Sequence, residues 1–496
     1  MEDTTSTVAV TNSATTKTNN QRVLILGGGF GGIEVLKGLQ GSSSRHGTSR
    51  IDITLVSQEN FLLFTPMLHE VSSGMLEPRH IATAIRAFCK TPSTFYKAKV
   101  ESIDLKSKEV TITQTTSGFE INYINENLIK NNNNNISHET AHNHKASHIH
   151  QSKLKYDYLV IALGSQTRFP DIEGVSQFTF TMKSLEDAIV LKNHIIDMLE
   201  QAELVNNDDD DNNNNNNNTE EQKRKKLLTF VVVGGGFGGV ESVGALNDFL
   251  KEMIKNRKYH TIKRSDMQVF LITSGDELLP EMGKDLGQFA LEKLMNSGIK
   301  VMLNTKVKGI DARSIQIEDE NSHDTISISS YTIVWSTGPE PQEIVKKLPC
   351  KHDRHGRVVT NGYLELEGYD NVYALGDCAS IPNPHTGKTY PPTAQHAVRE
   401  GKVVARNIML SISAKRKSKR KKAFDYKTRG IMATVGKRTA VAKIFGIKLH
   451  GFTAWWLWRT FYLMNLPTTR KKIRVMIDWT IDLLFGRDSG FAVSKK

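Results

Sequence analysis

The stretch VLILGGGFGGIEV (Val23–Val35) contains a hexapeptide, GGGFGG, that recurs 207 residues later in VVVGGGFGGVES (Val231–Ser242). Each copy follows a short run of β-branched and aliphatic residues, which is typical of a fully buried parallel strand. Each copy also precedes a stretch of helix-forming residues. This order predicts a strand, a tight turn and a helix whose N-terminus binds a pyrophosphate. Because all of these features occur twice, we interpret the chain as one that binds two dinucleotides.

Three glycines of each copy fall at the positions of the pattern G-x-G-x-x-G. The first permits the tight turn, the second lets the backbone approach the pyrophosphate, and the third lets the helix pack closely on the strand. A glycine-rich loop without a ligand is the alternative for a single copy, and the repetition argues against it. The candidate cofactor-binding residues of the two turns are Gly27, Gly29, Phe30, Gly31 and Gly32 in the first copy and Gly234, Gly236 and Gly239 in the second.

The second strand of such a unit usually ends in a carboxylate that binds the ribose hydroxyls. Here the two predicted second strands, in IDITLVSQEN and MQVFLITSGDELLP, end in Ser57 and Thr273. Glu59 lies two residues beyond Ser57 and could still reach a ribose. Thr273 leaves no carboxylate to repel a 2′-phosphate, so the sequence leaves the choice between NADH and NADPH open.

Composition limits the classes of protein to which the chain can belong. Its 496 residues suffice for two or three domains. Three cysteines without CxxC spacing favour a reducing compartment and exclude a disulfide framework or a zinc site. The apolar stretches are too short to span a bilayer. Residues 411–496 hold 21 Lys and Arg against 4 Asp and Glu, so the net charge of +12 comes from this region alone.

Low-complexity tracts interrupt the globular pattern. Residues 131–150 are rich in asparagine and histidine, and residues 206–222 are rich in asparagine and aspartate. Neither tract can bury a core, so we expect both to be disordered insertions, and residues 1–20 to be a disordered tail. The histidines lack a fixed geometry, and we expect no functional metal site there.

Three further buried-strand patterns end in glycine turns, at Tyr156–Pro170, Thr332–Gln342 and Asn371–Ser380. The simplest architecture is an α/β fold with two Rossmann-like dinucleotide-binding domains. The first would consist of residues 21–169 and 333–410, and the second, residues 170–332, would be inserted into it. The two nucleotides would then face each other across the interface. Since these motifs end by about Ile408, we expect both domains to fold without residues 450–496.

This arrangement resembles the flavoproteins with two dinucleotide-binding domains among the pyridine nucleotide oxidoreductases. The resemblance implies that the N-terminal unit binds FAD and that the inserted unit binds NAD(P)H. It also implies that a Gly-Asp pair at the end of a strand, here Gly376 and Asp377, places a carboxylate on the ribityl chain of the flavin. The other cofactor-binding candidates that we carry over from this family are Pro66, Gly164, Gly338, Gln395 and His396.

Longer stretches are similar to type II NADH dehydrogenase, in Phe61–Ile81, Pro391–Ile408 and the ending Trp455–Asp488. The resemblance implies a single-chain NADH:quinone oxidoreductase that pumps no protons and uses FAD to pass electrons from NADH to a quinone. The AQxAxQ segment of that family is matched at Gln395, but Arg399 stands where the last glutamine is usual.

Two residues are candidates for a catalytic role. Glu241 lies just inside the second helix, where the resemblance places it near the nicotinamide and the flavin, to position NADH or to relay protons. The alternative is a purely structural role, in which the carboxylate is stabilised by the positive N-terminal end of the helix. That alternative is the better one for Glu34, which holds the equivalent position in the first copy. Gln395 is the second candidate, through its place in the AQxAxQ segment.

Residues 411–496 have the pattern of a membrane-associating region. Four of the five tryptophans lie there, and KRKSKRKK (Lys415–Lys422) adds attraction to anionic lipid. An amphipathic helix lying in the lipid interface fits this combination. We therefore expect a peripheral protein on the cytoplasmic face of the cell membrane and no nucleic-acid partner. The apolar stripe of this helix consists of Ile473, Met476, Ile477, Ile481, Leu484 and Phe485.

Alternatives remain for this region and for the function. The stripe could be core or a homodimer contact, and the basic run a solvated loop or a nucleic-acid contact. A sulfide:quinone oxidoreductase would share the fold and the membrane-associating region. It needs a pair of cysteines over the flavin, however, and Ala162–Pro170 contains none. A non-enzymatic flavoprotein that senses NADH and binds partners through its basic tail also stays open.

Overall fold

The computed structural model describes residues 20–46, 51–116, 148–205, 214–255, 259–412 and 420–485. Residues 1–19, 117–147 and 206–213 lie outside this description, and with them most of the segments for which we predict disorder. Within the described ranges, no helix is both long enough and apolar enough to cross a membrane.

The first of two large sheets has five strands, all parallel. The first glycine turn connects its central strand to the helix Phe30–His46. A second long helix, Ala394–Ile412, packs so closely on this helix that a Cβ built on Gly401 would lie 2.6 Å from the carbonyl oxygen of Gly31. In order across the sheet, the strands are Val372–Ala374, Tyr158–Ile161, Gln21–Leu26, Ile51–Ser57 and Ser93–Lys97.

The second sheet has four parallel strands, and its glycine turn connects Thr229–Val233 to the helix Phe237–Ile254. One of its strands, Thr332–Trp335, corrects a predicted boundary. Its four residues are buried and pair with Thr229–Val233, so the inserted unit extends to Trp335 and the boundary that we predict at 332/333 is wrong. In order across the sheet, the strands are Ile299–Met302, Gln268–Ile272, Thr229–Val233 and Thr332–Trp335. The two sheets confirm the predicted α/β fold with two Rossmann-like domains.

Smaller elements surround the two sheets. The chain passes between the units through a two-stranded ribbon, Ser165–Thr167 with Pro339–Pro341. Two three-stranded antiparallel sheets consist of Lys99–Asp104, Glu109–Thr116 and His148–Lys155, and of Thr305–Ile310, Ser314–Asp319 and Thr325–Ser329. The other main elements up to residue 300 are the helices Leu68–Ser72, Pro78–Ile81, Leu185–Leu204, Asn214–Leu227 and Lys284–Asn296 and the strands Phe61–Leu63 and Ala82–Ala84.

Two of these elements correct the predicted disorder. Residues 148–150 are in a strand rather than disordered, because they extend an antiparallel ladder in which His148 pairs with Thr116. Residues 214–222 are in the helix Asn214–Leu227, whose Glu, Gln, Lys and Arg residues favour a helix and whose Leu227 is buried. The last residues of both low-complexity tracts are therefore part of regular secondary structure.

The C-terminal region is part of the core. A three-stranded sheet, with strands Gly430–Gly436, Thr439–Ile444 and Ile447–His450, packs on the helix Phe237–Ile254. The helices Gly451–Asn465 and Thr469–Phe485 follow. Their inward side chains, Ala454, Trp458, Val475 and Trp479, join a buried cluster with Phe64, Met67 and Leu68. Removing residues 450–496 would uncover this cluster, which contradicts the expectation that the rest of the chain folds without them.

Candidate functional site

Both glycine turns have the backbone conformation that the pattern predicts. Gly27 has a φ of +110° and Gly234 a φ of +131°, which residues with a side chain rarely adopt. A Cβ built on Gly27 would lie 2.0 Å from the carbonyl oxygen of Ala162, and one built on Gly234 would lie 2.4 Å from that of Ser336. Each first glycine is therefore required both by its φ and by the neighbouring strand.

The other two glycines of each G-x-G-x-x-G pattern differ in their surroundings: the third packs tightly and the second is open. A Cβ on Gly32 would lie 2.0 Å from the carbonyl oxygen of Gly27, and one on Gly239 would lie 1.8 Å from that of Gly234, so the helix start packs directly on the turn. Around a Cβ on Gly29 or Gly236, in contrast, no atom lies within 4 Å. This open side at a helix N-terminus is where a phosphate can approach the backbone.

Ser57 and Thr273 lie beside their glycine turns. A Cβ on Gly28 would be 2.8 Å from Oγ of Ser57, and one on Gly235 would be 2.7 Å from Oγ1 of Thr273. The side chain of Glu59 is exposed beyond the end of its strand. Neither unit therefore has a carboxylate at the last position of its second strand.

A cavity of about 1810 Å³ lies between the two units and the C-terminal region. Part of the predicted site lines it, namely Phe30, Pro66, Gly234, Gly236, Glu241, Thr273, Gly338, Gln395 and His396. The other predicted residues lie outside its lining, namely Gly27, Gly29, Gly31, Gly32, Ser57, Glu59, Gly164, Gly239, Gly376 and Asp377. Gly376 and His396 border a smaller pocket, so the predicted set spans two adjoining spaces.

Asp377 is held by a hydroxyl and a cation. Ser165 donates a hydrogen bond from Oγ to its Oδ2 at 2.6 Å, and Nζ of Lys183 lies 2.7 Å from the same hydroxyl and 3.6 Å from the carboxylate. Lys183 precedes the helix Leu185–Leu204 and also lines the cavity. Sequence reasoning missed Lys183 and Ser165, because no local pattern indicates that they meet Asp377.

Glu400 is a third residue that the sequence did not indicate. It lies on the helix Ala394–Ile412, is almost fully buried and accepts a hydrogen bond from the backbone N–H of Gly376 at 2.8 Å. Burial raises the pKa of its carboxyl to about 7, the Gly376 N–H opposes this shift, and the nearby charge of Asp377 adds to it. Its neighbours in sequence, Arg399 and Lys402, give it the appearance of a solvated helix position.

Gln395 and His396 begin the same helix at the cavity wall. The side chain of Gln395 accepts a hydrogen bond from the hydroxyl of Tyr426 at 3.3 Å. His396 lies with Nδ1 2.6 Å from Oγ1 of Thr393, and burial, with a smaller effect of Arg399, lowers its pKa to about 4. His396 is therefore neutral near pH 7. Arg399 also lines the cavity, with its guanidinium 4.2 Å from the centre of the Tyr426 ring.

Glu241 lines the cavity from the start of the second turn of the helix Phe237–Ile254. Its Oε1 accepts a hydrogen bond from the backbone N–H of Thr434 at 3.2 Å, and its Oε2 lies 3.8 Å from Nδ1 of His69. Burial raises the pKa of this carboxyl to about 8, the Thr434 N–H opposes the shift, and the negative charge of Glu70 adds to it. Near neutral pH the cavity therefore contains a carboxyl group that can hold and release a proton.

The C-terminal helices connect the cavity to an apolar surface. Phe461, Tyr462 and Asn465, on the helix Gly451–Asn465, line the cavity. All six residues of the stripe predicted on the following helix are exposed, from 44% at Met476 to 83% at Phe485. Further exposed apolar side chains of the C-terminal region are Phe445, Ile447, Phe452, Trp456, Phe461, Met464 and Leu483.

None of the three cysteines, which all lie in the described ranges, lines the cavity. Cys378 is buried and donates hydrogen bonds to backbone carbonyls, and burial raises its pKa to about 12. Cys350 has a pKa raised to about 11 by the same cause. The paired cysteines of a sulfide-oxidising site are absent from this cavity.

Comparison with known proteins gives relatives along almost the whole chain. A probable NADH dehydrogenase of Dictyostelium discoideum is 30% identical over 470 residues, which cover 95% of this chain and 91% of that protein. A type II NADH:quinone oxidoreductase of Mycobacterium tuberculosis is 28% identical over 473 residues, which cover 94% of this chain and 89% of that protein. The solved structure of NDH2 from Plasmodium falciparum in complex with NADH shares the fold, with a TM-score of 0.78 and 21% identity over 95% of this chain and 100% of that one.

Models of protein families match two parts of the chain. Residues 428–488, which include the exposed apolar helix, match the NDH2 C-terminal domain. Residues 21–401, with both glycine turns and part of the cavity lining, match the model described as pyridine nucleotide-disulphide oxidoreductase. This chain therefore belongs to the pyridine nucleotide-disulphide oxidoreductase family, and it carries an NDH2 C-terminal domain.

Proposed function

We propose that this chain is a type II NADH dehydrogenase, which passes electrons from NADH through FAD to a membrane quinone without pumping protons. One observation carries the proposal: a single cavity borders the second glycine turn, the Gln395 helix and the aromatic residues of the C-terminal helix. A nucleotide donor and an apolar acceptor can therefore approach the same space from different sides.

The two glycine turns fit FAD and NADH. Each turn leaves its middle glycine, Gly29 or Gly236, open to a diphosphate at the start of a helix. Bound FAD supplies the chemistry, since a flavin accepts a hydride from NADH and can pass electrons on to a quinone. The Ser165–Asp377–Lys183 cluster is placed to fix a polyhydroxyl chain, because it offers a carboxylate, a hydroxyl and a cation at one junction.

Glu241 and Gln395 have different tasks in this proposal. Glu241 positions the donor and holds a proton at the cavity wall, as its raised pKa of about 8 allows. Gln395 offers its amide to a quinone carbonyl, and Tyr426 fixes the orientation of that amide through its hydroxyl. Arg399 stands at the position of the last glutamine in the AQxAxQ pattern, and its cation can donate to the same carbonyl.

The exposed apolar surface is proposed to lie in the interface of an anionic membrane. The residues Ile473, Ile477 and Ile481 project outward from the last helix, while Val475 and Trp479 bury its inner face. A peripheral location on the cytoplasmic face of the cell membrane, with the basic C-terminal region toward anionic lipid, completes the proposal. The alternative occupant of this surface is a second copy of the chain in a homodimer.

Anaerobic mixing tests the function directly. The purified flavoprotein is mixed with NADH, NADPH or sulfide while the flavin absorbance is followed, and a quinone is added afterwards. We expect NADH to bleach the flavin and the quinone to restore its colour. Bleaching by sulfide alone would identify a sulfide:quinone oxidoreductase, and a flavin that NADH reduces but no quinone reoxidises would indicate a sensor.

A further inference from the structure

Three polar residues of the helix Ala394–Ile412 face the cavity at helical spacing. Arg399 follows Gln395 by four residues and Lys402 follows Arg399 by three, so their side chains lie on one face of the helix. All three line the cavity. Gln395 is the residue to which we assign a quinone carbonyl, so the two cations lie on the same wall as the acceptor.

The elements beside this wall add positive charge. The helix Phe30–His46 packs against the helix Ala394–Ile412, and Gln395 donates a hydrogen bond from Nε2 to the carbonyl oxygen of Gly430 at 3.4 Å. These two helices and residues 428–444 contribute one carboxylate and five cations to the described lining, a net charge of +4. Such a wall attracts anions into the cavity. The carboxylate is Glu34, and the cations are Lys37, Arg399, Lys402, Arg429 and Lys443.

Arg399 is held in a fixed position on this wall. Its Nη1 donates a hydrogen bond to the carbonyl oxygen of Gln395 at 2.7 Å, and its guanidinium lies 4.2 Å from the centre of the Tyr426 ring. The side chain is half-buried, and no carboxylate of the described residues forms an ion pair with it. Glu34 is paired with Lys37 instead, at 2.8 Å. Burying a cation without a counter-ion costs solvation free energy, which an anionic ligand recovers.

Tyr426 couples Arg399 to Gln395. Its hydroxyl donates to Oε1 of Gln395 at 3.3 Å, while the face of its ring carries the guanidinium. The amide and the guanidinium are thus held one helical turn apart. Two adjacent oxygens on a quinone ring match this arrangement, because the amide N–H donates to one oxygen and Nε and Nη2 of the guanidinium donate to the other. A negative charge on the second oxygen strengthens its bond to Arg399.

We propose that Arg399 is the centre of an anion subsite, which makes the acceptor site selective for quinones with an ionised oxygen next to a carbonyl group. Gln395 binds the carbonyl, Arg399 binds the ionised oxygen, and the surrounding cations raise the local concentration of the anion. Arg399 is thus a specificity-determining residue. This inference deepens the proposed function and rests on it.

The test compares two naphthoquinones of nearly equal size. The first, 2-hydroxy-1,4-naphthoquinone, is an anion at pH 7 because its hydroxyl is conjugated with a carbonyl, and the second, 2-methoxy-1,4-naphthoquinone, is neutral. The ratio of their kcat/KM values is measured with NADH and the flavin-loaded full chain in detergent without lipid. In Arg399→Gln this ratio should fall by about tenfold, as for the loss of a charge-assisted hydrogen bond. Since every ratio contains the same two quinones, their different reduction potentials cancel.

Two variants and a binding measurement control this result. Arg399→Lys retains the positive charge and should retain most of the preference. Arg406→Gln removes an exposed cation about two turns further along the same helix, which does not line the cavity, and should leave the ratio unchanged. The dissociation constant of 2-hydroxy-1,4-naphthoquinone is measured without NADH, from the flavin absorbance of the oxidised protein. It should rise by about tenfold in Arg399→Gln and stay at the wild-type value in Arg406→Gln.

An unchanged ratio in Arg399→Gln would overturn the subsite, and an accompanying loss of sedimentation with anionic vesicles would show that Arg399 binds a lipid phosphate instead. Should this variant lose its flavin, the salt dependence of the wild type decides. Raising NaCl from about 20 to about 500 mM should lower kcat/KM severalfold for the anionic quinone and spare the neutral one, and equal effects on both would contradict the proposal. Failure of the proposed function has a different signature, because neither quinone would then reoxidise the NADH-reduced flavin of the wild type.

Discussion

The indole nitrogen of Trp479 donates a hydrogen bond to Oε2 of Glu70 across 3.0 Å. This bond connects the last helix to the helix Leu68–Ser72, which follows Pro66 at the cavity wall. A second contact, with 2.5 Å between Nδ1 of His80 and Oδ2 of Asp478, joins the same two regions. The helix that carries the exposed apolar stripe is therefore fixed to the segment that lines the cavity.

Ile477→Asp should weaken membrane binding without unfolding the protein. Ile477 is 51% exposed in the middle of the stripe, so a charge there disturbs little of the core. In an interfacial helix the same charge costs about 2 to 3 kcal/mol, or roughly a 30-fold to 160-fold loss in affinity. Sedimentation with anionic vesicles measures this loss. Turnover with a long-chain quinone in the vesicles should fall in parallel, and turnover with a water-soluble acceptor should not.

The control for this variant is Ile326→Asp. Ile326 is 46% exposed on the sheet that contains Thr325–Ser329, which belongs to the inserted unit. We expect its vesicle binding to equal that of the wild type. If Ile477→Asp binds vesicles normally but changes the oligomeric state in size-exclusion chromatography, the stripe is a homodimer contact instead of a membrane surface.

Glu241→Gln should remove the pH dependence of quinone reduction above neutrality. With a pKa raised to about 8, the wild-type carboxyl is protonated at pH 6.5 and loses its proton as the pH rises through 8. Wild-type turnover with quinone should fall over this interval. The amide has no proton to deliver, so the variant should be slower by roughly a hundredfold at pH 6.5 and nearly flat up to pH 9.

Two controls define the role of Glu241. Ferricyanide accepts electrons without protons, so NADH:ferricyanide turnover of Glu241→Gln should fall much less than its turnover with quinone, and only by the contribution of Glu241 to positioning the donor. Glu34 holds the equivalent position in the first glycine motif and forms an ion pair with Lys37 at 2.8 Å. Glu34→Gln should retain the wild-type decline above pH 8. An equal decline in Glu241→Gln would assign the titration to another group.

Short-range sterics explain what the sequence could predict. The roles of Gly27 and Gly234 follow from residues within one turn and the adjacent strand, so the motif suffices to recognise them. The outward face of the last helix was likewise visible in its helical spacing. The sequence of a buried strand does not reveal which of two sheets it joins. For this reason the predicted domain boundary at 332/333 is wrong: the strand Thr332–Trp335 belongs to the sheet of the inserted unit.

Long-range pairs explain what the sequence could not predict. His69 meets Thr434 across 365 positions of the chain, and Ser165 meets Asp377 across 212. The chemistry of these residues depends on a partner that no local pattern contains. Glu400 is the clearest case, because its raised pKa arises mainly from burial, which exists only in the folded protein.

Glu400→Gln should stabilise the protein most at alkaline pH. A carboxyl whose pKa is raised to about 7 in the folded state, from an ordinary 4.5, stabilises the fold fully below pH 4.5 and loses this contribution as the pH rises through 7. The amide does not titrate. The free energy of unfolding of the variant relative to wild type should therefore increase by about 1 to 3 kcal/mol between pH 5 and pH 8.

Urea denaturation of the flavin-loaded proteins at pH 5, 6.5 and 8 measures this difference. The titration of Glu241 occurs in both proteins and cancels. A difference that stays constant across the three pH values would show that Glu400 does not titrate in this range. A fall with rising pH would indicate that the ionised carboxylate, through its bond from the N–H of Gly376, stabilises the fold.

Thr273→Glu should convert the protein into an NADH-selective enzyme. The native strand end has no carboxylate, and the adjoining strand begins at Thr305, whose N–H donates to the carbonyl of Thr273 at 2.9 Å. This adjoining strand also carries Lys306 and Lys308, which line the cavity. Lys306 forms an ion pair with Glu320, and Lys308 forms one with Glu318.

The cavity wall here presents lysines paired with carboxylates and no carboxylate at the end of the strand, so the wild type should use NADPH within about tenfold of NADH, or about 1.4 kcal/mol. A carboxylate near the 2′-phosphate costs a few kcal/mol at an effective dielectric constant of about 20. The kcat/KM for NADPH should then fall by about a hundredfold in Thr273→Glu while that for NADH changes little.

Thr273→Gln has the same size without the charge and should leave the ratio of the two donors near the wild-type value. If Thr273→Gln shifts the ratio as far as Thr273→Glu does, crowding against Gly235 explains the selectivity and charge does not. A wild type that already rejects NADPH by a thousandfold would assign the discrimination to other residues of this loop, with Asp276 and Glu277 as the first to replace.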